Sequence, residues 1–531
     1  MRHTYFRLIA LISPLLLTAA AHAATSPRYG GTLHLELAAP KASLDPREWQ
    51  TGSLESATNA KLAALMLERL VALDNYGRFQ PVLATEWSHD ASNRRWQFAI
   101  RAGVKFSDGS ELKPADVVAA LQPLLPEALK VYVSGNAVVI ESISALPDLL
   151  ERLASGPYFI FAVTSDKALL GTGPFVLGAA PGETDPRAIA AAPHGVGSHL
   201  FFRANEDAWS GRPFLDAVDV TLGVPPLRAM FDLQLGKADL VALAPELVPR
   251  AKQANVRVWL SEPLTLYGLR FDTAQTAVAD PRLRRALSLA LDRETMAGVL
   301  LQKQAIPAAA LLPQWLSGYA FLFNVESNPE RAKELRRSLA GGAGASSESL
   351  RLRVDAAGDL PKLLGERVAV NARQSGIPVQ VVVKPVSRGA GASQPSTAEA
   401  AAGVHLFAWH YSSLSARAEL DAMFAAYNLS EPSEINPAAT EREQLYARER
   451  SVLEDWRVLP LVEQAEPVGL GANVRDWMPS RWGEWHLEDV WLDANQPTTA
   501  PIAYELGLSD PPSAAMRYFE STRDSTSGAR Q

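Results

Sequence analysis

The stretch Pro81–Val118, PVLATEWSHDASNRRWQFAIRAGVKFSDGSELKPADVV, constrains the fold more tightly than any other segment of its length. Trp96, Phe98 and Ile100 alternate with Gln97, Ala99 and Arg101, the period-two pattern of a half-buried strand. Asp108-Gly109 supplies a tight turn. Pro114 then suits the first position of a helix, Asp116 puts a negative charge in its first turn, and Val117, Val118 and Leu121 begin its apolar face. Strand, turn and helix start therefore follow one another without a gap.

The N-terminus reads as an address rather than as fold. Arg2 and Arg7 form a basic region, Leu8 to Ala21 an apolar core, and Ala21-His22-Ala23 a small-x-small cleavage site, so residues 1–23 are expected to be a cleaved secretory signal. An uncleaved anchor would need about twenty apolar residues, and this core is shorter and broken by Pro14. Cleavage leaves 49 basic against 58 acidic side chains, a net charge of −9 in place of −7. With no basic tract there is no electrostatic footprint for nucleic acid or anionic lipid. The chain has no cysteine, which excludes disulfides, thiol nucleophiles, thiolate metal sites and a lipid-anchor cysteine. A freely soluble periplasmic product is the expectation. Its length suits roughly three or four domains.

Further along, Thr32 to Leu37 alternates as a strand and Asn59 to Leu70 has a helical apolar face in Leu62, Leu65, Met66 and Leu70. Strands are expected at Val131–Val133 and Ala137–Ile143, and a helix at Pro147–Ala154. Pro263–Asp272 reads as a strand, and Asp280 to Arg293 as a helix with Asp280 as N-cap and Pro281 at its first position. Leu350–Val354, Pro361–Gln374 and Val379–Val383 make a βαβ unit between two low-complexity stretches, 340–349 and 388–402. Val404–Trp409 is a strand expected in the same sheet, so that residues just past its carboxyl end face a cleft. Glu443–Trp456 is another helix, and 493–531 reads as a partly disordered tail.

Several of these runs together resemble bacterial extracellular solute-binding proteins of family 5, the dipeptide and oligopeptide-binding group serving ABC importers. Pro81, Leu83, Ala84 and Trp87, then Trp96, Phe98, Ile100 and Arg101, then Gly103 to Phe106, Asp108-Gly109, Leu112 and Asp116 to Val118 follow the family's run. So do Gly30-Gly31-Thr32-Leu33, Leu44-Asp45-Pro46, Gly171 to Phe175, Arg203 to Asp216, Gly236 to Asp239 and Asp280 to Arg293. Lys113 departs from the usual Thr or Ser cap, a loss of about 1 kcal/mol. The glycines and proline of Gly171-Thr172-Gly173-Pro174-Phe175 are read as setting backbone angles.

The resemblance implies an α/β, two-lobed periplasmic binding protein fold of type II with an extra inserted subdomain and a hinged cleft. Lobe I would be discontinuous (24–50, 166–262 and 466–492), the subdomain would span 51–165, and lobe II 263–465. It also implies capture of a peptide-like or other small polar ligand and its delivery to an inner-membrane ABC permease, with no cofactor and a monomeric state. Ser43 and Asp45, around the Leu-Asp-Pro turn, are expected to be ligand-binding residues on the same grounds.

The ligand segment is expected at Trp409-His410-Tyr411-Ser412. Resembling peptide binders carry "W-x-x-D-x-x-D-P" there, and the first Asp pairs with the ligand's α-ammonium. Here Ser412 and Ser415 hold the acid positions. An enclosed ammonium without a carboxylate loses on the order of several kcal/mol to desolvation, so free peptides are disfavoured ligands. Trp409 and Tyr411 can stack on a planar or sugar-like ligand and His410 can hydrogen-bond it; equally, Trp409 is core and only a neighbour reaches the cleft. Two readings also stand for the arginines of 280–293, ligand contacts or, preferred, a solvated face paired with Asp280 and Asp292. For Trp477, Trp482, Trp485 and Trp491 they are a carbohydrate platform or, preferred, packing of the closing strands.

Catalytic signatures are missing: no HExxH, P-loop or GxSxG occurs. The pairs His194/His199 and His405/His410 have poor spacing for one metal. A binding protein is the leading reading, ahead of a sensory or regulatory module on the same fold and of a secreted hydrolase.

Overall fold

The computed structural model describes residues 26–179, 198–319, 323, 326–339, 349–355, 358–383, 402–432, 436 and 439–493. All belong to one unit, Met1–Ala494. The leader, most of the loop 178–198, most of both low-complexity stretches and the tail beyond Asp493 lie outside the described residues.

Two long antiparallel strands, Arg257–Phe271 and Val458–Leu470, form the spine of the main sheet. At one end Val458–Leu470 pairs with Leu240–Ala242, and the sheet continues through Thr32–Leu37, Ala217–Leu222, His199–Ala204 and Phe175–Gly178. At the other end Arg257–Phe271 pairs with Val404–His410, followed by Leu350–Val354 and Val379–Val383. Each long strand thus serves both halves. Their register shifts between Leu260 and Pro263, where the alternation breaks. The strand expected from Pro263 starts six residues earlier, because the chain stays paired across the irregularity back to Arg257.

The Pro81–Val118 stretch lies in a separate four-stranded antiparallel sheet, ordered Ala84–His89, Arg95–Ile100, Ala137–Ser142, Leu129–Ser134. Trp96, Phe98 and Ile100 are buried as their alternation requires. Gly109 turns the chain at φ +86° and Pro114–Leu121 follows as a helix. No side chain caps that helix from Lys113, but the Lys113 N–H donates to the Asp116 carboxylate at 2.8 Å, satisfying the preceding amide instead.

Three expectations are corrected. The helix read at 59–70 runs Leu54–Ala63, started by the Ser53 hydroxyl accepting from Glu55 and Ser56 N–H. It stops because the carbonyls of Leu65 and Met66 accept from Phe175 N–H at 2.9 Å and Gly173 N–H at 3.0 Å. Gly171 and Gly173 are needed for that close approach, not for positive φ: a Cβ on Gly171 would lie 1.8 Å from the Met66 carbonyl oxygen. Arg284 in the helix Pro281–Ala290 is buried rather than solvated, donating to Val278, Ala279 and Asp455 carbonyls; Arg282 pairs with Asp280 as read. Among the described residues no helix is long and apolar enough to cross a membrane.

Candidate ligand-binding cleft

The strand Val404–His410 ends beside the spine, and the chain turns there into the helix Ala416–Tyr427. One carboxylate shapes this turn. Glu419, wholly buried, accepts from Ser412 N–H at 2.6 Å, from Ser413 N–H, and from the Trp409 indole N–H at 2.8 Å. Burial pushes its carboxyl up, and the hydrogen bonds from Trp409, Ser413 and Ser412 pull against that rise. The Ser415 hydroxyl caps the helix by accepting from Ala418 N–H at 3.0 Å.

A cavity of about 820 Å³, counting its open mouth, lies against this turn. His410, Tyr411 and Ser412 form one side with Leu264 and Trp315. Trp49, Lys61 and Arg69 contribute from the N-terminal segment, Ser155 to Pro157 from the inserted sheet region, and Trp482 to Glu484 from the C-terminal segment. Segments remote in sequence meet directly over it: Gly156 N–H donates to the Ser412 carbonyl at 2.8 Å, Leu414 N–H to the Ser155 hydroxyl at 2.9 Å, and the Ser415 hydroxyl to Asp148.

The charges around the cavity are already matched. Glu466 meets the Lys61 ammonium on one oxygen and His410 Nε2 at 3.0 Å on the other. Burial opposes its ionisation, but Lys61 and His410 outweigh burial and hold the carboxyl well below the usual carboxylate range. Arg69 pairs with Glu484 at 2.5 Å and donates to the Gly156 carbonyl at 2.9 Å, its guanidinium lying 3.9 Å from the Phe159 ring centre. The Tyr411 hydroxyl donates to the Leu311 carbonyl at 2.7 Å, and its ring meets Trp315 edge-on at 6.2 Å. Trp315 in turn lies 5.0 Å from Trp482.

Of the residues singled out from sequence, His410, Tyr411 and Ser412 line the cavity. Trp409 is placed in the core, packed on Tyr427 at 5.6 Å and so close over Gly52 that a Cβ there would lie 2.5 Å from its ring. Ser43 and Asp45 stand behind the wall. The Ser43 carbonyl accepts from the Trp49 indole N–H at 3.0 Å, and Asp45 caps the short 3-10 helix Pro46–Glu48 while pairing with Arg47 at 2.6 Å. Sequence reasoning missed Trp49, Lys61, Arg69, Trp315, Glu466 and Glu484. Of the tryptophan cluster, Trp485 and Trp491 are packing residues as read, whereas Trp482 is a cavity wall. Among the described residues no group of three or more His, Asp or Glu is arranged to hold a metal ion.

Two sheet halves sharing a pair of long strands, with a cavity where distant segments meet, define a two-lobed α/β ligand-binding protein. The sequence pattern of the bacterial extracellular solute-binding proteins, family 5 Middle, matches residues 78–431, and the chain belongs to this family. It is similar to a probable di/tripeptide-binding protein 5 of Pseudomonas aeruginosa (strain UCBPP-PA14), at 25% identity over 54% of this chain and 60% of that protein. It is similar also to the nickel-binding periplasmic protein of Escherichia coli (strain K12), at 22% identity over 60% of this chain and 66% of that one. The matches to the first curated relatives thus span 38% to 60% of those proteins' own length. The crystal structure of the ABC transporter substrate binding protein CtaP from Listeria monocytogenes superposes with a TM-score of 0.69 at 16% identity, covering 88% of this chain and all of that one. DppA from Helicobacter pylori in complex with the peptide STSA gives 0.68 at 17%, covering 88% and 99%. At these identities the likeness establishes the type II, two-lobed periplasmic binding fold.

Proposed function

We propose that this chain is the solute-binding component of an ABC importer, secreted through cleavage of residues 1–23, working as a periplasmic monomer and handing its ligand to an inner-membrane permease. The observation that carries the reading is the cavity at 410–412, roofed by hydrogen bonds between segments far apart in sequence. A ligand held there touches both sides, so it stabilises the closed form more than the open one, which is the requirement for ligand-driven closure. His410, Tyr411 and Ser412 contact the ligand; Trp409, Ser43 and Asp45 hold that wall in place. The lobes follow the boundaries given above, 24–50 with 166–262 and 466–492, the insert 51–165, and 263–465. The relatives' names, among them peptide, nickel and haem binders, support transport of a solute and leave its class to the residues of this cavity.

The test is native mass spectrometry of the purified mature protein followed by thermal-shift screening with peptides, sugars, haem and nickel. A ligand at one hundred times its Kd raises stability by about 2.7 kcal/mol. That stabilisation is expected to vanish in Trp482→Ala, which opens the cavity wall. Stabilisation that survives in this variant would place the binding site elsewhere and sink the reading.

A further inference from the structure

The cavity's own groups restrict what it can hold. Among the described lining residues the ionised side chains cancel: Arg69 is matched by Glu484, and Lys61 by Glu466 just behind. The acid that could replace the missing carboxylate near Ser412 is Glu419, but it is wholly buried and committed to three N–H donors of its own chain. An ammonium entering this space would find no uncommitted carboxylate and would lose its hydration.

Donors, by contrast, are left over. The Arg69 Nε and Trp482 Nε1 nitrogens are buried with no hydrogen-bond partner among the described residues. Both carry N–H groups that can only donate. The third unpartnered nitrogen on a lining residue is His410 Nδ1. Because an ionised Glu466 can only accept, His410 Nε2 carries the proton on that side. The two unpartnered donors on this wall suit an acceptor brought in by a ligand. The rest of the wall is largely aromatic, with Trp49, Trp315, Tyr411 and Trp482.

We propose that the cavity takes an uncharged ligand with an aromatic body and a carbonyl that accepts from Trp482 or Arg69. This rests on the reading of the cavity as the solute site. Amine-terminated di- and tripeptides are then poor ligands, because the part of them that needs a carboxylate meets none.

Two probes with one ring separate the possibilities: N-acetylphenylalaninamide, which is neutral, and phenylalaninamide, whose amine is largely protonated at pH 6. Calorimetric titration of the mature protein, stripped of carried ligand, is expected to show the neutral probe binding at least ten-fold more tightly. Trp482→Phe, which keeps the ring and removes the N–H, is expected to weaken that probe about five-fold. Equal or tighter binding of the charged probe overturns the ligand class and leaves the solute site standing. Failure of both probes also overturns the class; a co-purifying ligand seen by native mass spectrometry would show that failure to be one of chemistry, and its absence would count against the site itself.

Discussion

Glu419 is the residue on which the turn after His410 depends, because its two oxygens collect Ser412 N–H, Ser413 N–H and the Trp409 indole. Glu419→Gln turns one acceptor into a donor facing one of those N–H groups. A buried donor left unpaired costs about 1–3 kcal/mol, so chemical denaturation is expected to show a loss of about 2 kcal/mol, with weaker ligand binding as the turn loosens. An unchanged midpoint would show that Glu419 does not fix the turn. Glu68 makes the opposite case. Burial raises its carboxyl to about 7, while the Trp209 indole and Thr172 hydroxyl, at 2.8 and 2.7 Å, restrain the rise. Between pH 4.5 and 7 the unfolded chain has released this proton and the folded chain retains it, so stability falls as pH rises through that window and levels off above it. Glu68→Gln keeps an acceptor for both donors and cannot ionise. Its stability relative to the parent is therefore expected to rise by up to about 3 kcal/mol from pH 5 to pH 8, read as the difference between their unfolding free energies at each pH; a constant difference would contradict the raised carboxyl.

Among the elements, the segment Gly171 to Phe175 shows both how much of the fold is legible in sequence and where legibility ends. Its position as a landmark could be read from the residues, and so could the strand Arg95–Ile100, because period-two alternation and turn residues are local signals. The reason for its glycines could not, since it lies in the backbone of Met66, about a hundred residues away. Gly171→Ala must push that backbone apart, and a loss above about 4 kcal/mol, or failure to fold, is expected in urea unfolding. Gly298→Ala, with open space around it and no positive φ, is expected to change stability by less than about 1 kcal/mol. Similar losses for both would mean that close approach to Met66 does not govern Gly171. The candidate site was legible in the same uneven way. Ser412 in place of an acid is visible in the chain, but the burial of Glu419, one position before Leu420 on a helix, has no local signature. Trp49, Arg69 and Trp482 come from three separate segments, and only the folded chain brings them to one cavity.

At the scale of the whole molecule, hydrogen bonds tie the segments 148–156 and 412–415 across the cavity, and one of them can be removed without touching the side chains of 410–412. The Ser155 hydroxyl accepts from Leu414 N–H at 2.9 Å while donating to the Glu151 carbonyl at 2.5 Å within its own segment. In Ser155→Ala the closed form buries Leu414 N–H without a partner, whereas an open form leaves it to water. The penalty therefore falls on one state alone, and a lost hydrogen bond of about 1 kcal/mol moves the closure equilibrium about five-fold towards open. Because binding draws on that equilibrium, the apparent Kd is expected to rise by a similar factor, while the Glu151 contact is lost equally from both states. Small-angle scattering supplies the independent readout. The ligand-free variant is expected to have a larger radius of gyration than the parent, with saturating ligand bringing the two together. A five-fold weaker Kd with identical ligand-free dimensions would locate the effect in the pocket wall, and unchanged values of both would mean that the tie between Ser155 and Leu414 does not govern closure.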